Sequence, residues 1–293
     1  MAFNKEKTAQ AVVGELRDGM IVGIGGWGPR RKPMALVREI LRSDLKDLTV
    51  VSYGGPDVGM LCAAGKVRKL IFAFATLDAI PLEPYYRKAR ESGAIEVEEY
   101  DEGMFEWGLR AAGMRMSFLP TRCGLATDAL AKNARLKTIR SPYDDGEVYV
   151  AMPALKLDAA LLHVNEADRL GNTLLRGNDT FFDHLFARAA ERCYVSTEVL
   201  SDQLALDADS AKQNAFERYL VHGVVDAPCG AHPTYLGPDY GWDMEHLKRY
   251  NASAGEENGW QKYVEEFVSC GEAGYIAKAG GAERIRKLKA PVF

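Results

Sequence analysis

The chain has 293 residues, which is enough for one large α/β domain or two small ones. Hydrophobic residues make up 47% and charged residues 27%, as in an ordinary globular protein. The formal net charge of -4 argues against a surface that binds nucleic acid or a polyanionic membrane, so no partner of either kind is predicted.

The first half of the chain alternates between strand-like and helix-like segments. Amphipathic spacing, Pro33 in a first turn and Gly93 at an end predict helices at 7–16, 33–43 and 84–93. Short apolar or alternating runs bounded by turn signals predict strands at 18–26, 47–55, 69–75 and 95–100.

The second half is more mixed and ends in charged helical sequence from Asp243 onward. Strands are predicted at 146–154, 158–164, 194–200 and 219–228, and a helix at 182–193. Because no Gly/Ser linker divides the chain, we predict a single domain over 1–293. Its fold class is α/β, with a mostly parallel sheet flanked by helices and a C-terminal helical extension.

The cysteines and the first residues indicate the compartment. The five cysteines are an odd number without a C-x-x-C pair, which is typical of free thiols in a reducing cytoplasm. The segment "MAFNKEKTAQ" lacks the apolar core of a secretory signal, and no window reaches the roughly 18 apolar residues of a membrane span. These features together predict a cytoplasmic protein. The five histidines have no metal-ligand spacing, so we predict no metal.

A glycine loop, "VGIGGWGPRRKP", occupies residues 22–33 and contains a G-x-G-x-x-G pattern. A dinucleotide site is not indicated, because a Pro- and Arg-rich stretch follows where a helix should run, and the next strand ends without an acidic residue. Gly25 and Gly26 at a strand end instead allow backbone N–H groups to approach an acyl oxygen. Arg30, Arg31 and Lys32 would then bind phosphates or carboxylates. The alternative is a tight turn with solvated basic residues.

With its lead-in "DGMIVGIGGW", this loop resembles the first signature of the class I CoA-transferases. Trp27 stands where phenylalanine is usual, and Arg31 replaces a common glycine, as in glutaconate CoA-transferase α subunits. The likeness continues through "GKVRKLIFAF", "SFLP", "KLDAALLHVNEADRLGN" and "VVDAPCGAHPTYLG". The resemblance implies a sheet of the NagB/RpiA/CoA-transferase type, a β subunit as partner in an α2β2 enzyme, and a CoA thioester as substrate rather than a separate cofactor.

Glu106 lies in "DEGMFEWGLRAAGM", residues 101–114, between Phe105 and Trp107. This segment resembles the α subunits of the IpdAB-type steroid-ring hydrolases of actinobacteria. The resemblance implies hydrolytic opening of the last ring of a steroid-derived CoA thioester, with Glu106 as the essential carboxylate. Desolvation between two aromatic neighbours would make it a better general base.

Other interpretations of Glu106 and of the chain stay open. Glu106 and Arg110 have i,i+4 spacing, so an ordinary helix-surface ion pair explains the carboxylate without catalysis. The chain is alternatively the α subunit of a true CoA-transferase, in which a β-subunit glutamate is the nucleophile. A third possibility is a scaffold subunit without catalytic residues.

Residues of the second half add weaker candidates. Asn165 follows a strand and is a candidate substrate-binding residue beside the cleft. His163 is predicted to be a buried, hydrogen-bonded histidine. Cys229 and His232 lie three residues apart, but no residue that would orient a Cys–His nucleophilic pair is identifiable, so we predict a structural or cleft-lining loop there.

Overall fold

The computed structural model describes residues 4–177 and 179–290. Its strands are β1 (Ile21–Trp27), β2 (Leu48–Gly54), β3 (Val67–Ala75), β4 (Glu96–Glu99), β5 (Phe118–Thr121), β6 (Lys137–Arg140), β7 (Val148–Pro153), β8 (Leu157–Asp168), β9 (Thr173–Leu174), β10 (Ala190–Ser201) and β11 (Val221–Asp226). The main sheet has the order β11-β10-β8-β1-β2-β3-β4, with β9 paired to β8. All neighbours along this order are parallel, and β9 is antiparallel.

Helices cover both faces of this sheet. They are α1 (Ala9–Val13), α2 (Met34–Arg42), α3 (Pro56–Ala63), α4 (Pro84–Glu91), α5 (Glu102–Gly113), α6 (Asp128–Lys132), α7 (Asp183–Ala189), α8 (Met244–Ser253), α9 (Gly259–Tyr263), α10 (Gly271–Lys278) and α11 (Ala282–Arg286). Buried parallel strands have apolar side chains on both faces, which is why β2 and the segment 159–162 of β8 are almost continuously apolar or small. The helix Met34–Arg42 follows the prediction closely, with Pro33 at its N-cap.

The chain order places a topological switch point beside β1. From β1 the chain builds outward through β2, β3 and β4, and it then returns to the other side of β1 with β8, β10 and β11. In open α/β sheets, ligands bind outside the carboxyl ends of the strands at such a point. Gly25 and Gly26 lie there, near the end of β1.

A small antiparallel sheet packs against α5, beside the carboxyl ends of the main-sheet strands. Its strand order is β5-β7-β6. Gly108 in the middle of α5 packs so closely that an added Cβ would lie 2.7 Å from Leu155 Cγ, and its carbonyl accepts the Leu155 N–H at 2.9 Å. The other side of α5 contacts α7. The small residues of this segment are therefore explained by packing within the chain.

The largest difference from the predicted elements is at the junction of α7 and β10. The predicted helix 182–193 ends at Ala189, and the strand begins at Ala190 instead of residue 194. Pairing of Ala190 with Leu157 on β8 extends the sheet and overrides the local helical pattern. The first helix is also shorter than 7–16, and α3, β5, β6 and α6 were not predicted. The single domain over 1–293 stays a prediction.

The C-terminal helices are attached to the sheet domain by buried polar contacts. His232 Nε2 lies 3.0 Å from Asp243 Oδ2, and His232 Nδ1 lies 2.7 Å from the Tyr275 hydroxyl. Nearby, His246 Nε2 lies 2.8 Å from the Tyr263 hydroxyl, in a cluster of aromatic rings. Burial, together with the neighbouring His232, lowers the pKa of His246 to about 3.

This buried histidine predicts a pH dependence of stability. The folded-state pKa of His246 lies below its unfolded value, so between pH 7 and 5 the unfolded chain binds a proton that the folded chain does not. Stability therefore rises with pH in this range, and His246→Gln should reduce the slope by up to about 1.4 kcal/mol per pH unit, most fully near pH 5. Urea unfolding at pH 5, 6 and 7 measures it. The exposed His222→Gln is the control, and equal slopes for wild type and His246→Gln would contradict the prediction.

Candidate functional site

An aromatic cluster lines the carboxyl ends of β1, β2 and β3. Tyr53 lies at its centre, with ring centroids 4.5 Å from Phe105 and 5.3 Å from Phe182. Trp27 packs edge-on against Phe74 at 4.8 Å. Aromatic pairs at these distances attract each other, so this aromatic cluster is rigid where the glycine loop meets α5.

Two hydrogen bonds connect the start of α5 to this aromatic cluster. Trp27 Nε1 donates to Glu102 Oε1 at 2.7 Å, and the Tyr53 hydroxyl donates to the Glu102 carbonyl at 3.3 Å. Burial raises the pKa of Tyr53 far above its usual range, and the neighbouring Glu102 and Glu106 carboxylates raise it further, so the phenol remains a donor. Asp101 caps the helix by accepting the Met104 N–H at 2.7 Å. The helix therefore begins over the strand ends and places Glu106 one turn later.

Glu106 is paired and partly exposed. Its Oε1 accepts a hydrogen bond from Arg110 Nη2, which is the i,i+4 ion pair that the spacing predicts. The side chain is 21% exposed, whereas Phe105 is fully buried and Trp107 points elsewhere, its Nε1 donating to the Pro120 carbonyl at 2.8 Å. Successive residues of a helix project in different directions. Phe105 and Trp107 therefore do not form the apolar surroundings that were expected for Glu106.

His184 on α7 is a neighbour of Glu106 that the sequence did not indicate. It is half-buried, and no hydrogen-bond partner of its ring occurs among the described residues. Burial lowers the pKa of His184; Asp183 opposes this, and Arg110 lowers the pKa further. The imidazole is therefore neutral near pH 7.

Gly25 and Gly26 are required by close packing at the end of β1. A Cβ on Gly25 would lie 2.4 Å from Leu162 Cδ2, and Gly26 has a φ of +76°. The Gly26 N–H donates to Asp183 Oδ1 at 2.8 Å. This donor is engaged inside the protein, so the geometry of this chain does not support its use for an acyl oxyanion.

Arg31 and Lys32 lie in the interior. Arg31 is 2% exposed and pairs with Asp183, with Nη2 3.1 Å from Oδ2. Lys32 is fully buried, and its Nζ donates to the Tyr53 carbonyl at 2.6 Å and lies 3.3 Å from Asp57 Oδ2. The solvated alternative does not describe these two cations, because both have buried acidic partners, and a ligand contact of either one stays a prediction.

Arg30 is the basic residue of the loop that lies at the aromatic cluster. Its guanidinium carbon is 4.7 Å from the Trp27 ring centroid and 5.2 Å from that of Trp242. Arg30 Nη1 also forms an ion pair with Asp78 Oδ2 at 2.5 Å. The three consecutive basic residues therefore do not form one anion-binding patch.

Asn165 is buried and holds two loops together. Its Nδ2 donates to Asp239 Oδ2 at 2.8 Å and to the Gly237 carbonyl at 3.1 Å. Its Oδ1 accepts the Arg176 N–H at 2.8 Å. These contacts use the amide inside the chain, and a substrate contact of Asn165 stays a prediction.

Glu198 is a second residue that sequence reasoning missed, and it organises the loop "APCGAHP". The buried carboxylate accepts hydrogen bonds from the Cys229 and Gly230 N–H groups at 2.6 and 3.0 Å. His163 Nε2 lies 3.0 Å from it, and the Tyr240 hydroxyl donates to it at 2.6 Å. The buried, hydrogen-bonded His163 is thus confirmed.

Cys229 and His232 have separate surroundings. Burial raises the pKa of the Cys229 thiol to about 11, while His232 is bonded to Asp243 and Tyr275. The two side chains therefore do not form a Cys–His pair. Among residues 4–177 and 179–290, no group of three or more His, Cys, Asp or Glu is arranged to hold a metal ion, and no helix in these ranges is long and apolar enough to cross a membrane.

Comparison with known proteins identifies the class. A family model of coenzyme A transferases matches residues 5–227, and the chain belongs to this family. The crystal structure of glutaconate coenzyme A-transferase from Acidaminococcus fermentans superposes with a TM-score of 0.85 at 26% identity, over 98% of this chain and 96% of that chain. The predicted fold class is confirmed.

Within the family, the chain is most informatively compared with two actinobacterial relatives. It is 48% identical to the cholesterol ring-cleaving hydrolase IpdA subunit of Rhodococcus jostii (strain RHA1), over 94% of this chain and 95% of the relative. It is 45% identical to the cholesterol ring-cleaving hydrolase IpdA subunit of Mycobacterium tuberculosis (strain ATCC 25618 / H37Rv), over 94% and 96%. The resemblance to steroid-ring hydrolase subunits is therefore confirmed.

The interior position of Lys32 generates a stability prediction. Lys32→Gln should lower the free energy of unfolding by ~3–5 kcal/mol, because Asp57 would remain as a buried charge without its cation. Urea unfolding measures the change. Lys287→Gln, at an exposed ion pair, is the control and should stay within about 0.5 kcal/mol of wild type. Unchanged stability of Lys32→Gln would show that Lys32 is solvated and does not neutralise a buried Asp57.

Proposed function

We propose that this chain is the α subunit of a heteromeric hydrolase that opens the last ring of a cholesterol-derived CoA thioester by hydrolysing a carbon–carbon bond. The observation that carries the proposal is the 48% identity to a cholesterol ring-cleaving hydrolase subunit over nearly the whole chain, against 26% to a glutaconate CoA-transferase of the same fold. The proposal includes a β subunit as partner, a cytoplasmic location and no cofactor apart from the CoA of the substrate.

Glu106 is the proposed general base. The position of Glu106 on α5 supports this role, because this helix begins at the carboxyl ends of the strands, where ligands bind in open α/β folds. Arg110 holds Oε1, and Oε2 accepts no hydrogen bond from the described residues. One oxygen is thus oriented while the other is left for a proton transfer.

The chemistry requires a base of this kind. Glu106 takes a proton from water as the water oxygen adds to the carbonyl carbon of the ring ketone. The tetrahedral adduct then collapses to the new carboxylic acid as the adjacent carbon–carbon bond breaks, and the electron pair of that bond passes into a carbonyl next to the leaving carbon to form an enolate. The proton taken up by Glu106 returns to the enolate carbon and completes the hydrolysis. A positioned carboxylate contributes ~10²–10⁴-fold to such a step. The CoA moiety supplies binding energy away from the reacting carbons.

A second candidate, a true CoA-transferase, is favoured by the TM-score of 0.85 to glutaconate CoA-transferase. Turnover in H₂¹⁸O separates the two functions. The hydrolase places one ¹⁸O in the new carboxylate and opens the ring without any acceptor acid. A transferase needs an acceptor acid and leaves the ring closed. Acceptor-dependent formation of a new CoA ester would overturn the proposed function.

Glu106→Gln is the direct test of the base. It keeps size and hydrogen bonding but cannot take the proton, so turnover should fall by ~10²–10⁴ with substrate affinity largely kept. Single-turnover kinetics and substrate binding to the α/β complex measure the two effects. The matched control is Glu91→Gln, which removes another i,i+4 carboxylate, bonded to Arg87 on α4. Wild-type turnover in Glu106→Gln would show that the pair with Arg110 is only structural.

Assembly is the second test of the proposed function. Because the proposed site is shared, we expect the α and β chains to co-purify, as an α2β2 complex with two-fold symmetry. Gel filtration with light scattering measures the mass, and mixing separately purified chains should restore activity. Full specific activity of the isolated chain at micromolar concentration would exclude a shared site.

A further inference from the structure

Arg110 is held more firmly than the cation of an ordinary helix-surface pair. Its Nη2 donates to Glu106 Oε1, and its guanidinium carbon lies 5.2 Å from the centroid of the Trp107 ring. Its Nε is buried and has no hydrogen-bond partner among the described residues. In the i,i+4 pair of Arg87 and Glu91 on α4, both side chains are about 60% exposed. In the pair on α5, Arg110 is 40% exposed and Glu106 is 21% exposed.

The Trp107 ring that supports Arg110 is itself fixed. Trp107 Nε1 donates to the Pro120 carbonyl at 2.8 Å, and Pro120 lies on β5 of the small sheet. A chain of contacts therefore runs from Pro120 through Trp107 and Arg110 to the Glu106 carboxylate. Such contacts restrict the guanidinium and, through it, the direction of the carboxylate.

We propose that Arg110 is a positioning residue for Glu106, an inference that rests on the proposed function. It holds Oε1 so that Oε2 faces the water to be activated, and its positive charge lies directly against the carboxylate. The titratable groups that sense this pair electrostatically are His184 on α7 and Tyr53 on β2. His184 also senses Asp183 and Arg188 of α7, and Tyr53 also senses Asp101 and Glu102 at the start of α5. Arg110 is the cation in direct contact with Glu106 among the described residues.

Three variants of the complete α/β complex test this role. Arg110→Gln should lower kcat by ~10–10²-fold with little change in KM, since misplacing a catalytic group has an effect of this size. The acid limb of its kcat–pH profile should move to higher pH, because the neighbouring positive charge is lost. Arg110→Lys should restore the position of the limb but only part of kcat. Trp107→Phe, which loses the bond to Pro120, should lower kcat without moving the limb.

Arg87→Gln is the matched control and should leave kcat and the pH profile unchanged. Wild-type kcat and an unmoved acid limb in Arg110→Gln, with Glu106→Gln inactive, would overturn the role of Arg110 alone. A loss of kcat in Arg110→Gln without a shift of the limb would show a merely structural contribution and would also overturn it. If Arg110→Gln does not assemble, Arg110→Lys carries the test through its kcat. Absence of ring opening by the wild-type complex would instead refute the proposed function.

Discussion

The buried carboxylate of Asp183 is the contact on which the arrangement of the site depends. It accepts the Gly26 N–H on one oxygen and pairs with Arg31 on the other. Burial raises the pKa of Asp183, and the contact with Arg31 opposes this shift. A buried ion pair stabilises a protein only if its hydrogen bonds are satisfied, and here the Arg31 guanidinium also donates to the Asp179 carbonyl at 2.7 Å. The pair fixes the glycine loop against the start of α7.

The position of α7 in turn determines where α5 lies. Phe186 of α7 and Phe105 of α5 pack against each other with ring centroids 6.2 Å apart, and Gly113 leaves room for the Cβ of Arg188. The helix α5 is therefore held between α7, the aromatic cluster and the small sheet. This packing places the backbone of Glu106, and the contact with Arg110 then directs its carboxylate. A change in the glycine loop would reach the carboxylate through these packed elements.

The sequence predicts the sheet much better than it predicts the site. Apolar runs and glycine turns locate the strands around β1, because parallel strands are buried on both faces and have little freedom in composition. The fate of charged residues depends on distant partners, and these are invisible in a local pattern. Arg31 meets Asp183 and Lys32 meets Asp57, across 152 and 25 positions of the chain, and both looked like solvent- or ligand-facing cations. The i,i+4 pair of Glu106 is the exception, because helical geometry alone determines it.

The proposed location of the base in this chain has a consequence for the partner subunit. In a transferase of this fold the nucleophilic carboxylate is expected from the β subunit, whereas the proposed hydrolase uses a carboxylate of the α subunit. Two carboxylates that share one site cannot both stay ionised, because like charges at close range favour protonation of one of them. The proposed hydrolase therefore differs from a transferase in which subunit supplies the reacting carboxylate. A second carboxylate from the β subunit at the same place would be disfavoured by its repulsion with Glu106.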